Sequence, residues 1–166
     1  VEEHLIADLD RSHVGTDRFV TPVATQPFLG ASGRKCLLIR IFVRAVLSLL
    51  CRRVCTIERY RTLAAKAGER FKQLKLNNVT QMVGDGTKGW PQLAPFERII
   101  VTAAAKEAPQ ALLDQLAVGG IMVLPIEERP GKQDLYRISR SATGYEQRHL
   151  LPVRFVPLVE GIAKEK

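Results

Sequence analysis

At 166 residues, with 46% hydrophobic and 25% charged side chains, the chain has the length and composition of one globular domain able to bury a core, which argues against a disordered protein. Three cysteines without metal-type spacing (Cys36, Cys51, Cys55) and three scattered histidines (His4, His13, His149) argue against a disulfide framework and against a zinc site. The net charge of +8 is concentrated: eight basic residues (Arg34, Lys35, Arg40, Arg44, Arg52, Arg53, Arg59, Arg61) and one acid, Glu58, lie between Arg34 and Arg61, whereas a nucleic-acid face spreads over several elements with aromatic or glycine-rich interleaving.

Residues 1–34 carry no convincing amphipathic period. The acidic amino terminus lacks the basic start and apolar run of a secretory signal, so a reduced cytoplasmic setting is expected. Leu37 to Cys51 is an aliphatic run interrupted by Arg40 and Arg44, too short and too charged to span a bilayer, and is read as buried core; a helix at an anionic membrane surface is the lesser alternative. Val54 to Glu58 then reads as a buried strand. Arg59 to Leu76 reads as an amphipathic helix with Tyr60, Leu63, Ala64, Ala67, Phe71 and Leu74 on one stripe, stopped by Asn77-Asn78.

Val79 to Val83 is a second strand, and the glycines and prolines from Gly84 to Phe96 predict a loop. Arg98 to Val101 is a third strand, followed by small residues from Thr102 to Ala105. A helix is expected from Pro109 to Leu116, ended by Gly119-Gly120, with a fourth strand from Ile121 to Pro125. A charged turn at Pro130-Gly131 leads to Leu135 through Arg140, the Thr143-Gly144 turn leads to Tyr145 through Leu151, and Val153 to Val156 reads as an edge strand. Alternation of strands and helices up to Pro125 predicts a parallel sheet with right-handed crossovers, and the later strands predict an antiparallel hairpin.

Two carboxylates stand just after two of these strands. In an open α/β sheet, ligands settle beyond the carboxyl ends of the strands, where loops present side chains. Glu58 at such an end is able to accept hydrogen bonds from both hydroxyls of a ribose. Glycines flanking Asp85 let backbone approach a flat ring, and Asp85 is able to take an exocyclic amine. The plainer reading, in which Glu58 caps the following helix and Gly84-Asp85-Gly86 is an ordinary turn, stands beside this one.

From Val54 to Gly161 the sequence resembles the bacterial protein-L-isoaspartate O-methyltransferases. The resemblance rests on VCTIER at 54–59, LNNVT at 76–80, VGDGT at 83–87, RIIVTAA at 98–104, the run from Pro109 to Pro125, and LLPVRFVPLVEG at 150–161. It implies a single α/β domain over residues 1–166, family-like over 45–161 and atypical over 1–44. The implied fold is the Rossmann-like one of S-adenosylmethionine-dependent methyltransferases: a mostly parallel sheet with helices on both faces and an antiparallel carboxyl-terminal hairpin. The implied cofactor is S-adenosyl-L-methionine, with Glu58 on its ribose, Asp85 bordering its adenine together with Gly84 and Gly86, and Thr102 and Ala103 lining the floor beside its methionine part.

In this family the carboxylate of an isoaspartyl residue attacks the sulfonium methyl in line. The protein's task is then to position two partners and exclude water, with no metal, membrane or nucleic-acid partner. Age-damaged proteins and peptides containing isoaspartyl residues are the implied substrates, and a monomer is expected. The upstream loop Ala24-Thr25-Gln26-Pro27 is the nearest counterpart of a family loop whose hydroxyl sits near the substrate carboxylate, which makes Thr25 the candidate catalytic residue.

The chain also departs from the family. A glycine-rich cofactor turn is expected about fifteen to twenty residues before Glu58 by the usual strand-turn-helix spacing. The matching stretch, Leu38 to Arg44, has no glycine, and its β-branched and aromatic residues do not readily take positive φ. A change of reading frame in the gene would explain both the missing glycines and the basic residues there; an intact frame shared with active relatives would refute it. Two alternatives follow: a catalytically impaired relative, and a basic module for nucleic acid or an anionic surface, whose binding would weaken steeply with salt.

Overall fold

The computed structural model describes residues 19–23 and 43–165. One seven-stranded sheet organises them. Its strands in chain order are β1 (Phe19–Val23), β2 (Val54–Glu58), β3 (Val79–Val83), β4 (Phe96–Ile100), β5 (Leu116–Arg129), β6 (Lys132–Arg140) and β7 (Tyr145–Val153). Their order across the sheet is β3-β2-β1-β4-β5-β6-β7. The five strands from β3 to β5 are parallel, and β6 and β7 are added antiparallel at one edge. Helix α1 covers residues 43–50, α2 is Arg61–Gln73 and α3 is Gln110–Asp114.

Strand β2 lies inside the sheet and is buried along its whole length, so every one of its residues must be apolar or internally paired. Consecutive residues of a strand point to opposite faces, and the core divides accordingly. Val54 and Ile100 pack with Leu47 of α1, whereas Cys55 and Ile99 pack with Phe96, Leu112, Leu116 and Met122 around α3. Helix α2 contributes Ala64, Ala67 and Phe71, with Val79 packed against the last two. Helices α1 and α3 therefore cover opposite faces.

Several boundaries differ from the sequence expectation. Helix α2 ends at Gln73, because the chain turns at Leu74 and reaches positive φ (55°) at Lys75; Leu74 is consequently 54% exposed and leaves the buried stripe. Asn78 does not stop that helix. Its amide donates to the Ser48 and Cys51 carbonyls at 2.7 and 2.9 Å, satisfying the carboxyl end of α1.

The helix expected to reach Leu116 stops at Asp114, and the strand begins at Leu116 rather than Ile121. Gly119-Gly120 is a bulge inside β5: Phe96 pairs with Leu116 while Arg98 already pairs with Ile121, and Gly119 takes φ of 80°. The edge strand is β7, ending at Val153; the segment after it leaves the sheet, and Val156 instead accepts from the Ala104 amide at 2.8 Å. The sheet position next to β2 is filled by Phe19–Val23, well upstream of the Leu38 to Arg44 stretch, and Arg44 itself is helical.

Phe96 is fully buried where the α3 cluster meets β4. Phe96→Ala should lower unfolding stability by about 3–5 kcal/mol, as expected for a large aromatic deleted from a packed core. Urea denaturation measures it, and a loss below about 1 kcal/mol would show that Phe96 does not hold this cluster together.

Candidate functional site

Register alone brings the two sequence-predicted acids to one edge of the sheet. Val23 pairs with Glu58, and Glu58 pairs with Val83, so Gly84-Asp85 continues from β3 beside the end of β2. The Gly84 amide donates to the Glu58 carbonyl at 3.0 Å. Thr102 and Ala103 follow β4, on the far side of β1 from β2. Thr25 lies outside the described residues.

Glu58 is only 2% exposed. One carboxylate oxygen accepts from the Tyr60 amide at 3.2 Å, and the other lies 4.0 Å from the Arg44 guanidinium. Arg44 is equally buried and donates through Nε to the Thr56 hydroxyl at 2.7 Å.

Asp85 opens a short turn at Gly86–Lys88. Its Oδ1 accepts from the Thr87 amide at 3.0 Å and the Thr87 hydroxyl at 2.7 Å, while Oδ2 accepts from the Gly161 amide at 2.8 Å. Partial burial pushes its carboxyl upward, but the hydrogen bonds from Gly161 and Thr87 and the charge of Lys88 outweigh this and hold it below the usual aspartate range. Gly84 is needed for packing as much as for any ligand: a Cβ there would come within 3.2 Å of Met82 and 3.5 Å of Ile57.

The small residues after β4 permit close backbone approach rather than open space. Ala104 is bracketed by the final segment, donating to Val156 and accepting from the Leu158 amide at 2.7 Å, while Ala105 bonds to Pro125 and Glu127 of β5. Thr102 Oγ1 is buried and has no hydrogen-bond partner among the described residues. Such a group is costly unless something polar reaches it.

Three contributors were not singled out in the sequence. Arg44 is one. Gln115 is the second: its amide accepts from the Trp90 amide at 2.7 Å and donates to the Lys88 carbonyl at 2.9 Å, fixing the loop after β3; positive φ at Gly89 and the lack of room for a Cβ beside Gln115 belong to the same contact. The third is the closing segment. Arg59 donates to the Gly161 and Glu160 carbonyls at 3.2 and 3.4 Å, the Ala163 amide returns to the Arg59 carbonyl at 3.0 Å, and Glu165 accepts from the Arg61 and Thr62 amides and the Thr62 hydroxyl at the start of α2. Only the family motif at 150–161 pointed toward this segment. No spacing signal marks Gln115.

The Cys51 thiol is pushed up to about 11, chiefly by burial, which favours its protonated form, and against a smaller opposing effect of Arg98. No described helix is long and apolar enough to cross a membrane.

A mostly parallel α/β sheet with carboxylates at the ends of two neighbouring strands, Glu58 as the last residue of β2 and Asp85 two residues after β3, places the chain in the class of α/β folds that bind ligands at that edge. The chain belongs to the protein-L-isoaspartate(D-aspartate) O-methyltransferase family, whose model matches residues 32–163. It is 59% identical over 123 residues to a protein-L-isoaspartate O-methyltransferase of Parvibaculum lavamentivorans, covering 73% of this chain and 55% of the relative. It is 61% identical over 107 residues to one of Ignicoccus hospitalis, covering 64% of this chain and 51% of the relative. The chain thus spans about half the length of these curated relatives. A Plasmodium falciparum structure described as a protein-L-isoaspartate O-methyltransferase in complex with S-adenosyl-L-homocysteine superimposes with a TM-score of 0.63 at 25% identity, over 95% of this chain and 70% of that one.

Because the folded carboxyl of Asp85 titrates below its unfolded value, its contribution to stability is complete above the ordinary aspartate pKa of about 3.9 and is lost as pH falls through the lower folded value. The difference in melting temperature between the protein and Asp85→Asn should therefore be constant near neutrality and close below about pH 4. A difference that widens toward acid would contradict this.

Proposed function

We propose that the protein is a protein-L-isoaspartate (D-aspartate) O-methyltransferase, transferring a methyl group from S-adenosyl-L-methionine to the carboxyl of isoaspartyl residues in damaged proteins. The observation that carries this reading is the placement of Glu58 and Gly84-Asp85-Gly86 at adjacent strand ends in a chain of this family. The S-adenosyl-L-homocysteine held by the Plasmodium falciparum structure supports the cofactor class. The strand order and the helices on opposite faces support the Rossmann-like fold.

The donor set suits such a cofactor. A carboxylate has about four acceptor sites, the chemistry that a pair of ribose hydroxyls requires, and Glu58 stands at the strand end with one oxygen on the Tyr60 amide and the other facing Arg44. Asp85 Oδ2 keeps a second lone pair beside the Gly161 amide for an exocyclic amine. The Thr102 hydroxyl is an orphan that the polar methionine end would satisfy, with Ala103 as an apolar floor.

When bound, the cofactor supplies an electrophilic methyl on a sulfonium. An isoaspartyl carboxylate is already ionised at neutral pH and would accept that methyl without a protein base, so the chain's own residues would act by holding the two partners in line. Glu58, Asp85 and the flanking glycines hold one partner, while the closing segment tied to Asp85 and Arg59 limits water access. Thr25 is assigned a positioning hydroxyl near the substrate carboxylate. A cytoplasmic monomer of one domain acting on isoaspartyl peptides completes the reading.

The test is methyl transfer from label-bearing cofactor, at millimolar concentration, to an isoaspartyl peptide and to its aspartyl counterpart. Base-labile label should appear on the isoaspartyl peptide alone. Glu58→Ala should raise the cofactor KM roughly 10- to 100-fold, the loss of hydrogen bonds to a charged acceptor. Equal labelling of both peptides, or none on either, would overturn the assignment.

A further inference from the structure

Arg44 is a fully enclosed cation that the proposed reaction does not use. Its surroundings explain how it is held. Val54, Thr56 and Glu58 alternate along β2 and so share one face, the face on which Val54 packs against Leu47 of α1. Arg44 precedes Leu47 by three residues, close to one helical turn, and lies on the same stripe of α1. As Leu47 covers Val54, Arg44 reaches the next two positions: Nε donates to Thr56 at 2.7 Å, and Nη2 lies 4.0 Å from Glu58 Oε2.

Both charged side chains are 3% exposed. Two ions withdrawn from water to this degree need compensation, and each supplies part of it to the other, so the guanidinium and a further hydrogen-bond donor compete for the side of the carboxylate that faces Arg44. We propose that Arg44 is an autoinhibitory plug: its guanidinium occupies the acceptor side of Glu58 that a nucleoside's ribose hydroxyls require, and the cofactor enters only as Arg44 withdraws. The proposal rests on the reading of Glu58 as the ribose acceptor. It belongs to Arg44 itself, a residue of the sequence stretch that departs from the family pattern, and it predicts weaker cofactor binding than the strand ends alone would give.

Calorimetric titration with S-adenosylhomocysteine tests it on the full chain. Arg44→Ala and Arg44→Gln should each bind at least tenfold more tightly than the unaltered protein, the glutamine variant keeping the hydrogen-bonding reach to Thr56 in case the alanine variant fails to fold. The ligand should also raise the melting temperature of either variant by more than it raises that of the unaltered protein, a readout independent of turnover. Equal affinity in all three proteins would overturn the plug while leaving the methyltransferase reading intact. Weaker binding by the variants would overturn it by making Arg44 a support for Glu58. Absence of binding by every folded protein would overturn the plug and the ribose assignment together.

Discussion

The parallel register of β1, β2 and β3 is the constraint on which the rest of the molecule depends. Pairing of Val23 with Glu58, and of Glu58 with Val83, makes three strands end on one line, so whatever follows each strand emerges at the same edge. A slip of one residue in β2 would turn Glu58 to the opposite face and place Ile57 under α1. The cost would be severe in both directions, since a carboxylate would enter the apolar cluster around α3 and Arg44 would face an aliphatic side chain. The Arg44–Glu58 contact is thus both a consequence of the register and a reason that it is kept.

The loops at this edge are held by contacts remote in sequence. Gln115, just beyond α3, ties down the loop after β3 by bonding two of its backbone groups, the Trp90 amide and the Lys88 carbonyl. The closing segment passes beside Ala104, meets Asp85 through the Gly161 amide, and ends with Glu165 on the first amides of α2. A carboxylate at a helix amino terminus is favoured both by the unpaired amides and by the helix dipole. Asp85 is therefore shared between two duties, closing its own turn and anchoring the last residues, and this is why its carboxyl titrates low.

Much of the sheet was legible in the sequence. The bounds of β2 and β3 follow from short β-branched or aliphatic runs between polar stops, and the two acids were found by their position after those runs. The β5 bulge was not legible, because Gly119-Gly120 has the same local chemistry as a helix stop and only pairing with β4 separates the two. Leu74 fits the apolar stripe of α2, yet the turn at Lys75 exposes it. Spacing places only the expected glycine-rich turn at Leu38 to Arg44, and residues 1–34 show no convincing period, yet the sheet takes the strand beside β2 from Phe19–Val23.

By itself, the sequence determined the family, the alternation of strands and helices, and which carboxylates stand at strand ends, because these follow from local periodicity and from motifs contiguous in the chain. Tertiary structure decided what those carboxylates touch. Arg44 reaches Glu58 only because α1 lies along β2, and Gly161 reaches Asp85 only because the closing segment returns past Ala104. Contacts between residues separated by 14 to 76 positions depend on how whole elements dock, and no local pattern of side chains encodes that geometry.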